Sequence, residues 1–112
     1  MKKIEAIIRP ERLPAVRGAL EELGYPGMTL IEVRGYGKQG GQTQQWRGVK
    51  YEIEFSPKLK IEIVVIDGDA DRIASAIMRA ARTGETGDGK IFILPVDGAA
   101  RIRTGDRDDN AV

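Results

Sequence analysis

Neither cysteine nor histidine occurs anywhere in the 112 residues. The first absence excludes a disulfide framework, a thiolate zinc site and a thiol nucleophile. The second removes the most common general base and the most common metal ligand. Ser56 and Ser75 are the only serines, so a Ser-His-Asp hydrolase is excluded as well. Long apolar runs are also missing. Ile63–Ile66 and Ile91–Leu94 fall far below the roughly 20 residues of a membrane span. Met1-Lys2-Lys3 starts like a signal peptide, but Glu5 and Arg9 interrupt the stretch that follows. Nor does one sign of charge dominate: 18 Lys and Arg face 17 Asp and Glu, a net +1. No overall field therefore recruits nucleic acid or anionic lipid. The expectation is a soluble cytoplasmic protein that is not an enzyme and does not bind nucleic acid.

The length fits one domain, residues 1–112, large enough to bury a core without a covalent staple. Six regular segments follow in order. Ile4–Ile8 is apolar and β-branched, and Arg9-Pro10 stops it. Within Glu11–Leu23, Leu13, Val16, Leu20 and Leu23 make a helical stripe. Pro14 is tolerable there only in the first turn, and Gly24 supplies the stop. Thr29–Tyr36 reads as a strand. Lys58–Ile66 alternates Leu59, Ile61 and Ile63 with Lys60 and Glu62 and then turns apolar on both faces. Asp67-Gly68-Asp69 offers N-caps to a second helix carrying Ile73 and Ile77 and ending near Arg82. Lys90–Val96 is the fourth strand.

The order βαββαβ predicts an α+β class, a ferredoxin-like sandwich with both helices on one face of the sheet. No third helix exists to cover the other face, which predicts a homo-oligomer. Ala99–Val112 is a tail whose last residues, small and acidic, are expected to lack order.

Glycine supplies 14 residues, above the usual ~7%, and its placement is informative. Gly84-Glu85-Thr86-Gly87-Asp88-Gly89-Lys90 matches most of a P-loop. Ile91 stands where that motif needs Ser or Thr, however, and the segment runs from helix to strand rather than the reverse. What remains is either a glycine-rich turn ending a helix or a nest of backbone N–H groups that prefers anions, with Lys90 at its edge. Arg101 and Arg103 point the same way in extended chain, either as a solvated surface pair or as a pair held apart by an anion, for which polyphosphate is a good candidate. Gly37–Pro57 is too long for a passive hairpin. It carries Trp46 and Tyr51 around Arg47, the composition of an interface anchor, and its stem is expected to be partly β.

Arg47-Gly-Val-Lys-Tyr51, Arg82-Thr-Gly-Glu-Thr-Gly-Asp-Gly-Lys90 and Arg101-Ile-Arg-Thr-Gly105 together resemble the PII nitrogen-regulatory signal proteins, from Met1 to about Gly105. The resemblance implies a homotrimer with nucleotide sites in the clefts between subunits. It makes residues of about 37–57 the T-loop, 82–90 the B-loop and 99–112 the C-loop and tail. ATP or ADP would compete for one site built from Thr29, Gly35, Gly37, Lys38, Glu62, Val64, Gly87, Asp88, Gly89, Lys90, Arg101 and Arg103. Lys38 stands where the family usually has Arg, which turns a forked contact into a point charge. 2-Oxoglutarate would bind beside ATP through Mg²⁺, with Gln39 as metal ligand, Lys58 on the distal carboxylate and Gly87 alongside.

Trp46, Arg47, Gly48 and Tyr51 would dock on an ammonium transporter or glutamine synthetase, the former bringing reversible association with the membrane. Tyr51 is the candidate acceptor for a nucleotidyltransferase. Competing readings are a divergent regulator with another effector, a weak ATPase and a purely structural trimer. An RNA-recognition module, which shares the element order, needs aromatics exposed on its central strands. The first and third strands have none.

Overall fold

Two strands of the sheet alternate between buried and less buried residues because apolar residues alternate along them, and the computed structural model shows where that pattern points. It describes residues 1–36 and 55–112 with their side chains, and the backbone of the segments 43–46 and 49–52. The elements are β1 (Lys2–Ile8), α1 (Leu13–Glu22), β2 (Thr29–Tyr36), β3 (Thr43–Trp46), β4 (Val49–Glu52), β5 (Phe55–Val65), α2 (Ala70–Ala81) and β6 (Gly89–Pro95). Short 3-10 turns at Pro10–Arg12 and Asp67–Asp69 lead into the helices, and a third closes the chain at Asp108–Ala111.

The main sheet is ordered β2-β5-β1-β6, and all its pairs are antiparallel. This is the expected ferredoxin-like α+β arrangement. Ile4, Ala6 and Ile8 of β1 and Ile61, Ile63 and Val65 of β5 face the helices, where Val16, Leu20, Ile73 and Ile77 are fully buried against them. Pairing fixes the other face: Thr29 lies opposite Glu62, Lys3 opposite Val64, and Ile7 opposite both Lys60 and Lys90. On it Lys3 bridges Glu5 at 3.1 Å and Glu62 at 3.4 Å, while Lys60 meets Glu62 at 3.2 Å. Ile31, Phe92 and Leu94 stay exposed there, as the missing third helix led us to expect.

The first helix ends as its sequence predicts. Gly24 takes φ +85°, its N–H bonds Glu21 O at 3.0 Å and Tyr25 N–H bonds Leu20 O at 2.9 Å, a Schellman ending. Pro14 sits in the first turn, where it removes no helical hydrogen bond.

Four expectations need correction. Asp69 holds the N-cap position of α2, but neither it nor Asp67 makes a side-chain capping hydrogen bond. The 3-10 turn satisfies Asp69 N–H through Ile66 O at 3.0 Å, and the carboxylates are used elsewhere. Asp67 meets the N-terminal amine at 2.7 Å. Asp69 accepts from the Tyr25 hydroxyl and, at 3.0 Å, from Arg72. The third core strand begins at Phe55 rather than Lys58, because β2 continues opposite it to Tyr36. The tail is ordered to its end: Ala100 pairs with Arg107, and Asp108 accepts from Ala99 N–H at 3.2 Å. Local backbone partners replace the core this segment cannot build. Finally, Arg101 and Arg103 do not lie in extended chain. Gly105 N–H bonds Arg101 O at 2.8 Å and Arg101 N–H bonds Asp106 O at 2.9 Å, so the two arginines belong to a tight turn and alternation does not orient them.

Among the described residues β3 and β4 pair with each other, in a two-stranded sheet with Trp46 opposite Val49. The long connection thus contains β structure, as its sequence suggests.

Candidate functional site

Loop 82–90 is built around one carboxylate. Asp88 accepts from Thr83 N–H and Gly84 N–H, each at 2.9 Å, from the Thr83 hydroxyl, and from Arg9 Nε at 3.0 Å. Arg9 also donates to Thr86 O at 2.8 Å. The Thr83 hydroxyl contributes most to holding the Asp88 carboxyl well below the usual carboxylate range, and Arg9 and the loop amides add to it. Gly84, Gly87 and Gly89 all take positive φ, the conformation that lets the loop close on Asp88.

The sign of the pH effect follows. A carboxylate depressed in the fold contributes stability that is complete above its unfolded pKa and lost as pH falls through the lower folded value. Glu62, Asp67 and Asp69 are shifted in the same direction. We expect stability to decline as pH falls below about 4. Asp88→Asn should flatten that decline and lower the melting temperature at neutral pH. A set of thermal melts between neutral and acid pH checks both; parallel curves for the variant and the parent would refute the role given to Asp88.

Lys58 lies beside this loop. It is buried, with 7% exposure, and its ammonium donates to Gly87 O. Burial lowers its pKa, and the neighbouring Arg9 charge adds to the effect. Among the described residues no carboxylate is in ion-pair contact with Lys58. Gly35 lies at the same end of the sheet, where a Cβ would come 3.2 Å from Lys58 Cγ. Lys90, opposite Ile7, completes this end.

Thr29 and Glu62 lie further along the sheet, in the row of Glu5 and Phe92, with Val64 opposite Lys3. They line a cavity of about 650 Å³ together with Tyr25, Ala111 and Val112. Loop 96–107 leaves the sheet here, since Val96 N–H bonds Met1 O at 3.2 Å. Arg101 and Arg103 are exposed on it, the former 3.7 Å from Asp106. The residues expected around one nucleotide therefore fall into two groups, Gly35 with Gly87–Lys90 and Thr29, Glu62 and Val64 with the two arginines. From Gly89 to Pro95 alone β6 spans roughly 20 Å, at about 3.3 Å per residue.

Gly37, Lys38, Gln39, Arg47 and Gly48 lie outside the described residues. Trp46 and Tyr51 are placed only as backbone positions, at the ends of β3 and within β4. Sequence reasoning missed Arg9, whose partners are 77 and 79 positions away. No local pattern signals such a contact, and Arg9 looked only like the residue before a strand-stopping proline.

Fold and loops define the class: a ferredoxin-like α+β domain with its candidate binding groups on loops and strand ends, facing two directions. A family model described as nitrogen regulatory protein P-II matches residues 1–106. A nitrogen regulatory protein P-II of Synechocystis is 57% identical over 112 residues, all of both chains. Nitrogen regulatory protein P-II 1 of Escherichia coli K12 is 53% identical, and the Pasteurella multocida protein 51%, each again over the full length of both. The chain belongs to the nitrogen regulatory protein P-II family, and it is a signal protein of nitrogen regulation rather than an enzyme. No helix among the described residues is long and apolar enough to cross a membrane.

Proposed function

We propose that this chain senses ATP, ADP and 2-oxoglutarate and relays their binding to nitrogen-metabolism targets through residues of about 37–57. The observation that carries the reading is the buried Lys58 beside the glycine loop that ends in Lys90. Glu11 and Asp88 act on this buried ammonium from a distance, and Asp88 is already paired with Arg9. The bonded partner of Lys58 is a carbonyl, and a carboxylate or phosphate brought by a ligand would pair its charge directly. Lys90, Arg101 and Arg103 supply further cations for a polyphosphate.

The two groups of nucleotide residues stand in different parts of the sheet and tail, an arrangement that suits a homotrimer with each site shared between copies. ATP with Mg²⁺ and 2-oxoglutarate favours one state of the 37–57 segment and ADP another, each ligand shifting the population by its differential affinity. Gln39 supplies an amide oxygen to Mg²⁺, and Lys58 reads the distal carboxylate of the keto acid. Arg47, flanked by Trp46, Gly48 and Tyr51, docks on an ammonium transporter or glutamine synthetase, and Tyr51 is available to a nucleotidyltransferase.

Titration calorimetry tests this directly. ATP and ADP should each bind, and 2-oxoglutarate should bind only with ATP and Mg²⁺ present. Arg103→Ala should weaken both nucleotides by about tenfold or more, the loss of one charge-assisted contact. Gln39→Ala should spare ADP and abolish the 2-oxoglutarate response. Retained 2-oxoglutarate binding in Gln39→Ala would remove Gln39 from the metal, and no heat with either nucleotide would sink the reading.

A further inference from the structure

Tyr25 follows the glycine that ends α1, and it is held at both of its ends. Its N–H bonds Leu20 O at 2.9 Å, and its hydroxyl donates to Asp69 at the N-cap of α2. Asp69 is fixed in turn by Arg72 at 3.0 Å, one turn into that helix. Between these two anchors the ring packs against the core, as Met28 does. The Tyr25 hydroxyl contributes most to lowering the pKa of Asp69, and Arg72 adds to it. Burial and the same bond raise the pKa of Tyr25. At neutral pH the contact therefore joins a neutral phenol to a carboxylate, one of the stronger kinds of hydrogen bond.

The residues that follow are Pro26, Gly27 and Met28, which belong to no helix or strand, and then Thr29 opens β2. All four line the cavity of about 650 Å³ to which Glu62 and Val64 also contribute. Their position depends on the anchor before them, because Gly24, at φ +85°, is a pivot that glycine alone does not hold rigid. We infer that Tyr25, through its bond to Asp69, is a positioning residue that sets the 26–29 wall of the nucleotide pocket. This rests on the nucleotide reading above. Lys58, Lys90, Arg101 and Arg103 do not line this cavity, so the anchor acts on the nucleoside half of the ligand and leaves its phosphates to those cations. A phenylalanine at 25 would pack equally well, but it would leave Asp69 to Arg72 and release the wall.

Calorimetry of the full chain with ATP, ADP and inorganic tripolyphosphate separates this role from a general loss of structure. Tyr25→Phe keeps the ring, so its circular dichroism should match that of the parent. ATP and ADP should each bind about tenfold more weakly, the size of one hydrogen bond to a charged group. Tripolyphosphate, which has no nucleoside, should bind as it does to the parent. Asp69→Ala should weaken ATP as Tyr25→Phe does, whereas Asp69→Asn, which keeps an oxygen for the hydroxyl, should regain most of the affinity. An equal loss for ATP and tripolyphosphate overturns the inference, because a merely structural bond would weaken both alike. Asp69→Asn no better than Asp69→Ala overturns it as well. ATP heat in the parent that Tyr25→Phe leaves unaltered overturns the inference alone. No ATP heat in the parent overturns the nucleotide reading and takes this inference with it.

Discussion

Gly89→Ala should cost the protein much of its stability, on the order of 4 kcal/mol, the range reserved for severe single substitutions. Two independent effects converge there. Gly89 adopts φ +107°, a region closed to side chains with a Cβ. A Cβ built at this position would also lie 1.7 Å from the Ile7 carbonyl oxygen and 2.8 Å from its carbon. Both atoms are backbone of the central strand β1, so neither can swing aside. β6 would have to peel away from β1 at its first residue and take loop 82–90 with it. For a domain of this size the melting temperature should fall by roughly 15–30 °C. Gly84→Ala is the matched control: it shares the positive φ, at +92°, but a Cβ there meets nothing within 4 Å. It should lose only about 1–3 kcal/mol of backbone strain. Equal melting temperatures for the two variants would show that the Ile7 contact is not what requires glycine at 89.

Lys58→Met should separate stability from ligand response. Removing one partner of a buried charged contact costs about 2–5 kcal/mol of binding, so 2-oxoglutarate affinity in the presence of ATP and Mg²⁺ should drop at least about 30-fold. The unliganded protein should not suffer correspondingly. A lysine whose pKa is lowered by burial binds its proton less readily when folded, so stability rises with pH from the lowered value up to about 10.5. Methionine is similar in length and carries no charge to desolvate, so the variant should melt no lower than the parent at neutral pH and lose that alkaline rise. The measurements are calorimetry with 2-oxoglutarate and melts across alkaline pH. Unaltered 2-oxoglutarate binding would take Lys58 out of the effector site; a large drop in melting temperature would show that its bond to Gly87 O matters more to the fold than its burial costs.

Much of this fold could be read along the chain because its signals are local. The stripe of Leu13, Val16, Leu20 and Leu23, the glycine at 24 and the alternation of β5 each act within a few residues, and every one led to the right element. The tail shows where such reading fails. Composition argued against order in 99–112, but order there comes from the Ala100–Arg107 pair and from Asp108 reaching back to Ala99, contacts that composition does not encode. The same limit applied to Arg101 and Arg103, whose spacing suggested extended chain until backbone bonds to Asp106 and Gly105 turned it. In the candidate site, the glycines of 82–90 and Lys90 stood out by spacing. Arg9 did not, because it becomes part of that loop only when β1 is laid beside β6. Lys58 drew attention through the family resemblance; its burial became visible only once β5, β1 and the loop were assembled.

The separation of Lys90, at the start of β6, from the two arginines, on the turn that follows its last residue, also has a bearing on inheritance. On the shared-site arrangement, the partners that selection must keep compatible are distant within each polypeptide and adjacent only between polypeptides. After a gene duplication, two diverging versions made in one cell would co-assemble and form hybrid pockets, each with its glycine loop from one gene product and its arginines from the other. A defect at either end would then be masked by the sister copy in some pockets and imposed on it in others. The two genes would not be free to drift apart until their products had stopped mixing.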